Sequence, residues 1–328
     1  MNTIGKKAAG RLSQLYRFWL LFVLVFVSVI FGILRPEFFS PKNLLNILSS
    51  ACLSSMVGIG LTCIMSSGEI DFSCGTQITT GATAMALLMT KFNVGSYGIA
   101  IAVTIVIMLL FGFLNAGLHI AVGIPAFIAT MGTSFMMLGV VKMLTNGRNI
   151  FGLSNGTYSG FTFLGQGYLF GLIPMPAVVL VIIAAIMMIY TERTRSGKYL
   201  YAVGSNSNAC KYIGIDANKQ KLKGFLLCAL LCGIAGIVQG SMVNGASNAS
   251  GSAMLNTALS VLMLGATFYR VGVYNIPGTI VASLLVTVVT NGMTMLNASP
   301  AAKGYVNSFI LLLGVTLVSI IRKRSARV

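Results

Sequence analysis

Residues Phe18–Leu34 read FWLLFVLVFVSVIFGIL, an apolar run without a charged side chain. A helix of about 20 such residues is long enough to cross the hydrocarbon core of a bilayer. The run is followed by Arg-Pro-Glu-Phe-Phe, whereas a secretory signal would end at a small-residue cleavage site. We therefore predict an uncleaved first membrane span. The basic residues before it are Lys6, Lys7, Arg11 and Arg17.

Composition extends this prediction to the whole chain of 328 residues. Hydrophobic residues make up 56% of it, charged residues 8%, and the mean hydropathy is +0.90. An ordinary soluble domain carries about a quarter charged residues. The predicted fold class is therefore an all-α, polytopic membrane protein, with one membrane domain over residues 1–328. Its net charge of +17 is carried by loops and tails, which disfavours nucleic acid as a partner.

Further apolar runs predict ten membrane spans. An even number places both basic chain ends on one side, and most of the 22 Lys and Arg residues then lie on the inner side. We therefore expect both termini to be cytoplasmic. The predicted spans are Phe18–Leu34, Leu44–Met65, Thr76–Met89, Tyr97–Leu118, Phe127–Leu144, Ala177–Tyr190, Phe225–Val243, Thr257–Phe268, Ile280–Leu296 and Val306–Ile321.

A polar segment, about residues 191–223, carries seven Lys and Arg residues between two apolar blocks and is predicted to lie inside. Ser205, Asn206 and Ser207 are residue types that cap helix N-termini, and Gly214 suits a helix end. The pattern predicts a short helix over Asn208–Ile213. Membrane lipid and a cytoplasmic protein are equally good partners for this segment on the residues alone.

A second polar cluster interrupts the predicted spans two and three and contains Glu69 and Asp71. A carboxylate at membrane depth is costly, so it usually faces protein or water. Asp71 or Ser73 can cap the helix that follows, and the alternative is contact with a translocated solute. Next comes a stripe of hydroxyls at helical spacing, which lines either a helix contact or a polar cavity. Its members are Thr76, Thr79, Thr80 and Thr83.

Other chemistry is weakly indicated. His119 is the only histidine, and no carboxylate is adjacent to it in sequence, which favours a structural role over a proton relay. The six cysteines form no CxxC pair and suggest no metal site. No Gly-rich phosphate-binding loop of the Walker type occurs. We therefore expect neither a cofactor nor catalysis by this chain alone.

Several ordered motifs nevertheless resemble one family, the ribose/galactose/xylose permease subunits of ABC importers. Ser67-Gly-Glu-Ile-Asp-Phe-Ser-Cys-Gly75 resembles the family element G-x-I-D-L-S-x-G. Ile124-Pro-Ala-Phe-Ile-Ala-Thr-Met-Gly132 resembles I-P-x-F-I-x-T-L-G. Thr194-Arg-Ser-Gly-Lys-Tyr-Leu-Tyr-Ala-Val-Gly-Ser-Asn206, with Ala209 and Gly214-Ile215, is similar to T-R-x-G-x-x-x-Y-A-x-G-x-N…A…G-I. The likeness runs from about Leu44 to the C-terminus.

The resemblance implies a permease of about ten helices in the bacterial inner membrane that translocates a monosaccharide or similar neutral polar solute. It implies three partners: a cytoplasmic ABC ATPase subunit that hydrolyses the ATP, an extracytoplasmic substrate-binding protein, and a second permease chain. The residues it assigns to the ATPase-coupling loop are Arg195, Gly197, Tyr201, Gly204, Asn206, Ala209 and Gly214. Those it assigns to the translocation path are Glu69, Asp71, Ser73, Thr76 and Thr80.

The chain departs from the family pattern at three late places. Asn256 stands where the family often has an acid, Ala266 replaces the second glycine of a family Gly-Gly pair, and the usual S-G-G-R-G run is replaced by residues Tyr269–Tyr274. These departures lead us to hypothesise that the chain is one half of a heterodimeric permease pair. A stand-alone ion-coupled transporter, and a scaffold or channel without energy coupling, are the other functions that the sequence admits.

Overall fold

A computed structural model describes residues 18–153, 158, 160–248 and 250–325. The described residues are dominated by α-helix, because long apolar segments satisfy their backbone hydrogen bonds internally in this form. A short 3-10 helix, Pro36–Phe39, follows the first α-helix. The α-helices are α1 Trp19–Leu34, α2 Pro41–Ser66, α3 Cys74–Thr90, α4 Tyr97–Ile120, α5 Ala126–Thr145, α6 Phe163–Gln166, α7 Met175–Arg193, α8 Arg195–Ser205, α9 Ser207–Tyr212, α10 Ala217–Met242, α11 Ser250–Gly265, α12 Ile276–Met295 and α13 Pro300–Ser325.

The membrane character of these helices confirms the predicted fold class. Seven of them within the described residues are long and apolar enough to cross a bilayer, namely α2, α4, α5, α7, α10, α12 and α13. Helix α1 and the Met254–Gly265 part of α11 are apolar but shorter. Helix α3 has 17 residues and carries the hydroxyl stripe. Each of the ten predicted spans overlaps one of these helices, so the count of about ten is an approximate description.

The chain divides into two compact units. Among the described residues, one unit comprises 18–51 with 259–325, and the other lies within 52–258. In the first unit, α1 packs on α12 through an apolar cluster that includes Leu20, Val261 and Val286. The side-chain amides of Asn43 and Asn291 bond reciprocally there, at 3.1 and 3.0 Å. This pairing satisfies two amides within an otherwise apolar contact.

Small residues bring three helices of the second unit together. Helix α10 packs against α3 and α4. A Cβ atom placed on Gly236 would lie 2.5 Å from the Ile78 carbonyl oxygen, and one on Gly112 would lie 2.8 Å from the Ala229 Cβ. Close backbone approach of this kind is typical of helix pairs in membranes. Gly236 is therefore a point of close helix packing on α10.

Two short antiparallel strand pairs lie in the loops of the second unit that the ten-span prediction places outside. Strand β1, Ile150–Phe151, pairs with β4, Gly245–Ala246. Strand β2, Tyr168–Leu169, pairs with β3, Ile173–Pro174, in a hairpin that leads into α7. A buried apolar cluster that includes Leu153, Phe161 and Met89 lies beneath these pairs. All six cysteines of the chain are free thiols and are buried.

Candidate functional site

The basic segment between α7 and α10 folds into two short helices. The Thr194 hydroxyl accepts the Gly197 N–H at 3.0 Å and caps α8. The Asn206 side chain accepts the Ala209 N–H at 2.9 Å and caps α9. Gly214 follows α9 with a φ of +76°, a conformation that favours glycine. The predicted short helix and its cap are confirmed, while α8 was missed although Thr194 is a typical N-cap residue.

The end of α9 is the most exposed apolar point of this segment. Tyr212 is 91% and Ile213 73% accessible. Of the residues assigned to the coupling loop, Gly197 is buried and Tyr201 is half-buried. Arg195, Asn206, Ala209 and Gly214 are exposed. A large aromatic and a large aliphatic side chain are thus exposed together at the end of a capped helix.

Gly204 joins α8 to the turn that follows α2. A Cβ atom at Gly204 would lie 2.2 Å from the Ser66 carbonyl oxygen and 2.9 Å from the Gly68 nitrogen. A Cβ atom at Gly224, on α10, would lie 3.1 Å from the Ser67 hydroxyl. The turn is therefore held between the end of α8 and the start of α10. Any side chain at Gly204 would force the two backbones apart.

The first carboxylate of this turn, Glu69, contacts two basic side chains. Its Oε1 atom lies 2.6 Å from Lys221 Nζ and 3.1 Å from His119 Nε2. The other ring nitrogen, Nδ1, lies 2.9 Å from the carbonyl oxygen of Ile124. The His119 ring therefore bridges Glu69 and the backbone just before α5. We call Glu69, His119 and Lys221 the Glu69 triad.

The second carboxylate, Asp71, is fully buried among neutral donors. Its Oδ1 accepts the Ser73 N–H at 2.8 Å and also the Ser73 hydroxyl, while its Oδ2 accepts the Gln77 amide at 2.9 Å. The Ser73 hydroxyl accepts from Gln77 and from Asn115, at 2.7 and 2.9 Å. Asn115 in turn accepts the Thr133 hydroxyl at 2.5 Å. We call this chain of contacts, which links α3, α4 and α5, the Asp71 network.

The two candidate caps of α3 differ in what they bond. Ser73 occupies the N-cap position, but its hydroxyl makes no capping bond to the helix. Asp71 instead binds the backbone N–H of Ser73 and the side chain of Gln77, in the first turn of α3. Asp71 therefore orders the start of the helix, and Ser73 connects that start to α4 through Asn115.

The hydroxyl stripe of α3 lines two cavities in the second unit. Thr76 and Thr79 line a cavity of about 210 Å³, together with Phe72, Ser134 and Phe135. The Thr76 and Ser134 hydroxyls lie 2.6 Å apart, and Asn248 adds an amide to the same wall. No charged residue is among those that line this cavity. It has hydroxyl, amide and aromatic groups on one surface.

The second cavity is nearly apolar. It has a volume of about 170 Å³, and Thr80 and Thr83 contribute the only hydroxyl groups among the residues that line it. The hydroxyls of Thr79, Thr80 and Thr83 are buried and have no hydrogen-bond partner among the described residues. Residues of the stripe line both cavities, but the hydroxyls of three of its four members are themselves buried, so its role in a helix contact or a polar cavity stays a prediction.

Asp216 is an exposed carboxylate of the basic segment and directly precedes α10. Its Oδ1 accepts the Lys219 N–H at 3.1 Å and caps α10. This backbone hydrogen bond holds the pKa of the Asp216 carboxyl below its ordinary value. Asp216 also forms an exposed ion pair of 3.5 Å with Lys219. The anion is favourably placed at the helix N-terminus.

Apolar helices, a cavity without charged lining residues and a capped basic segment are the features expected of a multi-pass membrane transport protein. The family model described as the branched-chain amino acid transport system permease component matches residues 43–316. The ribose import permease protein RbsC of Bacillus subtilis (strain 168) is 31% identical over 325 residues, covering 97% of this chain and 95% of that protein. The D-allose transport system permease protein AlsC of Escherichia coli (strain K12) is 25% identical, covering 92% and 91%.

The chain belongs to this permease family of ABC importers and is a multi-pass protein of the inner membrane. The fold agrees with a solved structure of a metal-chelate type ABC transporter in an inward-facing conformation. The TM-score is 0.51 at 14% identity, over 94% of this chain and 98% of that one. Permeases of this family work with an ATPase and a substrate-binding protein and are not themselves catalytic. The family resemblance predicted from the sequence motifs is confirmed.

Proposed function

We propose that the translocated solute is neutral, hydroxylated and of monosaccharide size, and that it passes the 210 Å³ cavity beside α3. The cavity lining carries this proposal. Hydroxyl and amide groups from Thr76, Ser134 and Asn248 complement solute hydroxyls, and Phe72 and Phe135 offer rings for its C–H faces. The absence of charge among the lining residues disfavours an ionic solute. Ribose and D-allose, in the names of two relatives, have this chemistry.

A substitution that keeps the shape of Thr76 tests this path. Thr76→Val removes one hydroxyl and should lower the uptake rate about three- to tenfold, as expected for one lost hydrogen bond. Thr90→Val is the matched control, because the Thr90 hydroxyl bonds only the Ala86 carbonyl of its own helix at 2.7 Å. Radiolabelled ribose and D-allose uptake into vesicles that hold the complete complex provides the measurement. Equal uptake by both variants would contradict the path.

We propose further that a separate ATPase subunit docks on residues 194–215. The exposed Tyr212 and Ile213 side chains and the two capped helices support this assignment. Replacing both side chains by serine should abolish co-purification with the ATPase subunit and leave membrane insertion intact. Tyr305→Ser removes another strongly exposed tyrosine, 78% accessible on α13, and serves as the control. Replacing Ser205–Gly214 by a Gly/Ser linker is the stronger version of the same test.

Reconstitution separates this proposal from an ion-coupled transporter. The contact between Glu69 and His119 is the observation that favours the alternative, since ion coupling needs ionisable pairs near the membrane. Vesicles that contain the chain with and without the ATPase subunit are given ATP or a proton gradient. We expect uptake only with the ATPase subunit and ATP. Uptake driven by the gradient alone would refute the ATP-driven function.

The second permease chain is proposed to be a related but different protein. The departures at Asn256 and at residues 269–274 from the family pattern support a pairing in which the partner supplies the usual residues. Purification should then recover a second permease at equal stoichiometry. A homodimer that transports without such a partner would refute heterodimer formation while leaving the transport function in place.

A further inference from the structure

We propose that the Glu69 triad is the joint that transmits movement of the ATPase-coupling segment to the solute path. The proposal rests on the proposed function and adds positioning residues to it, Lys221 and His119, that the sequence motifs do not include. Glu69 lies on the turn between α2 and α3, and its two partners lie on α10 and α4. The triad therefore connects this turn to two helices, α4 and α10, through one carboxylate.

The coupling segment contacts this turn at both of its ends. At the end of α8, Gly204 lies against the Ser66 carbonyl and Gly68. At the start of α10, Gly224 lies against Ser67, and Lys221 forms its 2.6 Å contact with Glu69. The Lys221 and Glu69 side chains are 21% and 17% exposed, so the pair is half-buried and still partly accessible to water. A force applied to α8 and α9 consequently reaches the turn from two sides.

The far side of the turn is fixed to α4. The His119 ring is held between Glu69 and the Ile124 carbonyl, and its centroid lies 6.0 Å from that of the Phe225 ring on α10. A side chain at Gly112 would meet Ala229, so α4 and α10 also have little room to slide past one another. Glu69 thus couples α10 to α4, because the closely packed side chains around it leave little room for one helix to move without the other.

From Glu69 the turn leads directly to the solute path. Asp71 begins the network that reaches α4 and α5, and Phe72, the next residue, lines the 210 Å³ cavity. The Phe72 N–H also bonds the Thr130 hydroxyl on α5 at 3.1 Å. A displacement of Glu69 therefore changes the position of a cavity wall within the same short turn. This continuity from ion pair to cavity distinguishes the triad from an ordinary surface salt bridge.

The test compares four variants in the complete complex with its ATPase subunit and binding protein. Glu69→Gln and Lys221→Gln remove one charge each and keep the side-chain size. Lys221→Arg keeps the charge, and Lys219→Gln neutralises a lysine of the same helix that is 76% exposed and pairs only with Asp216. Three quantities are measured for each variant: ATPase subunit bound per permease, ATP hydrolysis rate, and solute molecules imported per ATP.

We expect both glutamine variants at the triad to bind the ATPase subunit normally and to import at least fivefold less solute per ATP. Lys221→Arg should stay within twofold of the unmodified protein, and Lys219→Gln should be unchanged. An unaltered solute-to-ATP ratio in Lys221→Gln, with monodisperse protein, would overturn the proposal even if Glu69→Gln failed to fold. A complex whose unmodified form lacks ATP-dependent uptake would instead refute the proposed function.

Discussion

Glu69 and Asp71 lie on one turn, yet their environments are opposite. Glu69 is partly accessible and faces two basic side chains from other helices. Asp71 is 0% exposed and is surrounded by neutral hydrogen-bond donors, chiefly Ser73 and Gln77. The first arrangement depends on long side chains that can move apart and meet again. The second depends on short, buried groups that cannot be left unpaired without a large cost.

The difference indicates that Glu69 and Asp71 have different roles although they lie on the same short turn. Ion pairs at the protein edge can be broken at modest cost, which suits a contact that changes during a transport cycle. A buried network of short side chains is more costly to disturb and better maintains one arrangement of α3, α4 and α5. We therefore expect Asp71 substitutions to affect stability first and Glu69 substitutions to affect coupling first.

The largest effect on stability should come from Asp71→Ala. It leaves three donors on Ser73 and Gln77 without their acceptor, at about 1–3 kcal/mol for each buried group, so we expect a loss of about 3–5 kcal/mol. Thermal unfolding of the purified permease in detergent is followed with a dye that fluoresces when it reacts with exposed thiols. The Tm should be markedly lower than that of the unmodified protein. Asp71→Asn retains one acceptor oxygen and should be intermediate. Equal Tm values for Asp71→Ala and Glu69→Gln would contradict the proposed difference in role between the two carboxylates.

Gly204→Ala addresses whether the turn that carries both carboxylates is held by the coupling segment. Its new Cβ would meet the Ser66 carbonyl oxygen, a backbone atom that cannot rotate away, and overpacking of this kind costs about 1–3 kcal/mol. We expect a lower Tm and weaker ATPase association. Gly132→Ala on α5 is the control, because no described atom lies within 4 Å of its Cβ position. Equal behaviour of the two alanine variants would show that the contact at Gly204 is dispensable.

Glu69→Gln should have a smaller effect on stability. The carboxylate is 17% exposed, so water screens its pairs with Lys221 and His119. We expect a loss of about 1 kcal/mol, corresponding to a Tm decrease of about 2–4 °C. The same thermal unfolding experiment compares it with Asp71→Ala. A Tm decrease as large as that of Asp71→Ala would mean that the Glu69 triad is structural and does not act as a movable contact.

Loss of the Asp216 cap should have the smallest effect on stability. The lowered pKa of Asp216 also fixes the direction in which the stability of the first turn of α10 depends on pH. Its folded pKa is lowered, mainly by the Lys219 N–H bond, so its contribution to stability is complete above the unfolded pKa and is lost as pH falls through the folded pKa. The first turn of α10 should therefore be unchanged between about pH 6 and 8 and should loosen below about pH 4. Hydrogen–deuterium exchange of residues 217–220 measures this. Asp216→Asn should remove the acid dependence, and persistence of that dependence would exclude Asp216 as its source.

Membrane helices were the part of the fold that the sequence predicts best. Runs such as Tyr97–Leu118 are apolar over nearly the whole thickness of a bilayer, and α4 covers that run at Tyr97–Ile120. Helix α8 was missed although its buried residues, Gly197, Leu200 and Val203, recur at helical spacing and Thr194 caps its start. Its placement depends on the contact of Gly204 with the turn after α2, which the sequence does not show.

The candidate site was only partly predictable for a related reason. Glu69, Asp71 and Ser73 stand out as polar residues in an apolar chain, and Thr76 and Thr80 stand out by their spacing. Their partners Lys221, Asn115 and Thr133 do not, because only the packing of α3, α4, α5 and α10 brings these side chains together. A buried or half-buried carboxylate does signal that a donor or cation must lie nearby, but its identity depends on tertiary contacts.

Because its native thiols are buried, the folded protein should react very slowly with maleimide dyes. All six native cysteines are inaccessible in the conformation described here, so a single cysteine introduced at Tyr212 or Phe170 should take up label alone. Cys74, at the first residue of α3, and Cys228, on α10, border the regions that the triad connects. Slow labelling of Cys74 or Cys228 during ATP turnover would show that those helices separate during transport. No engineered reporter in the solute path would be needed.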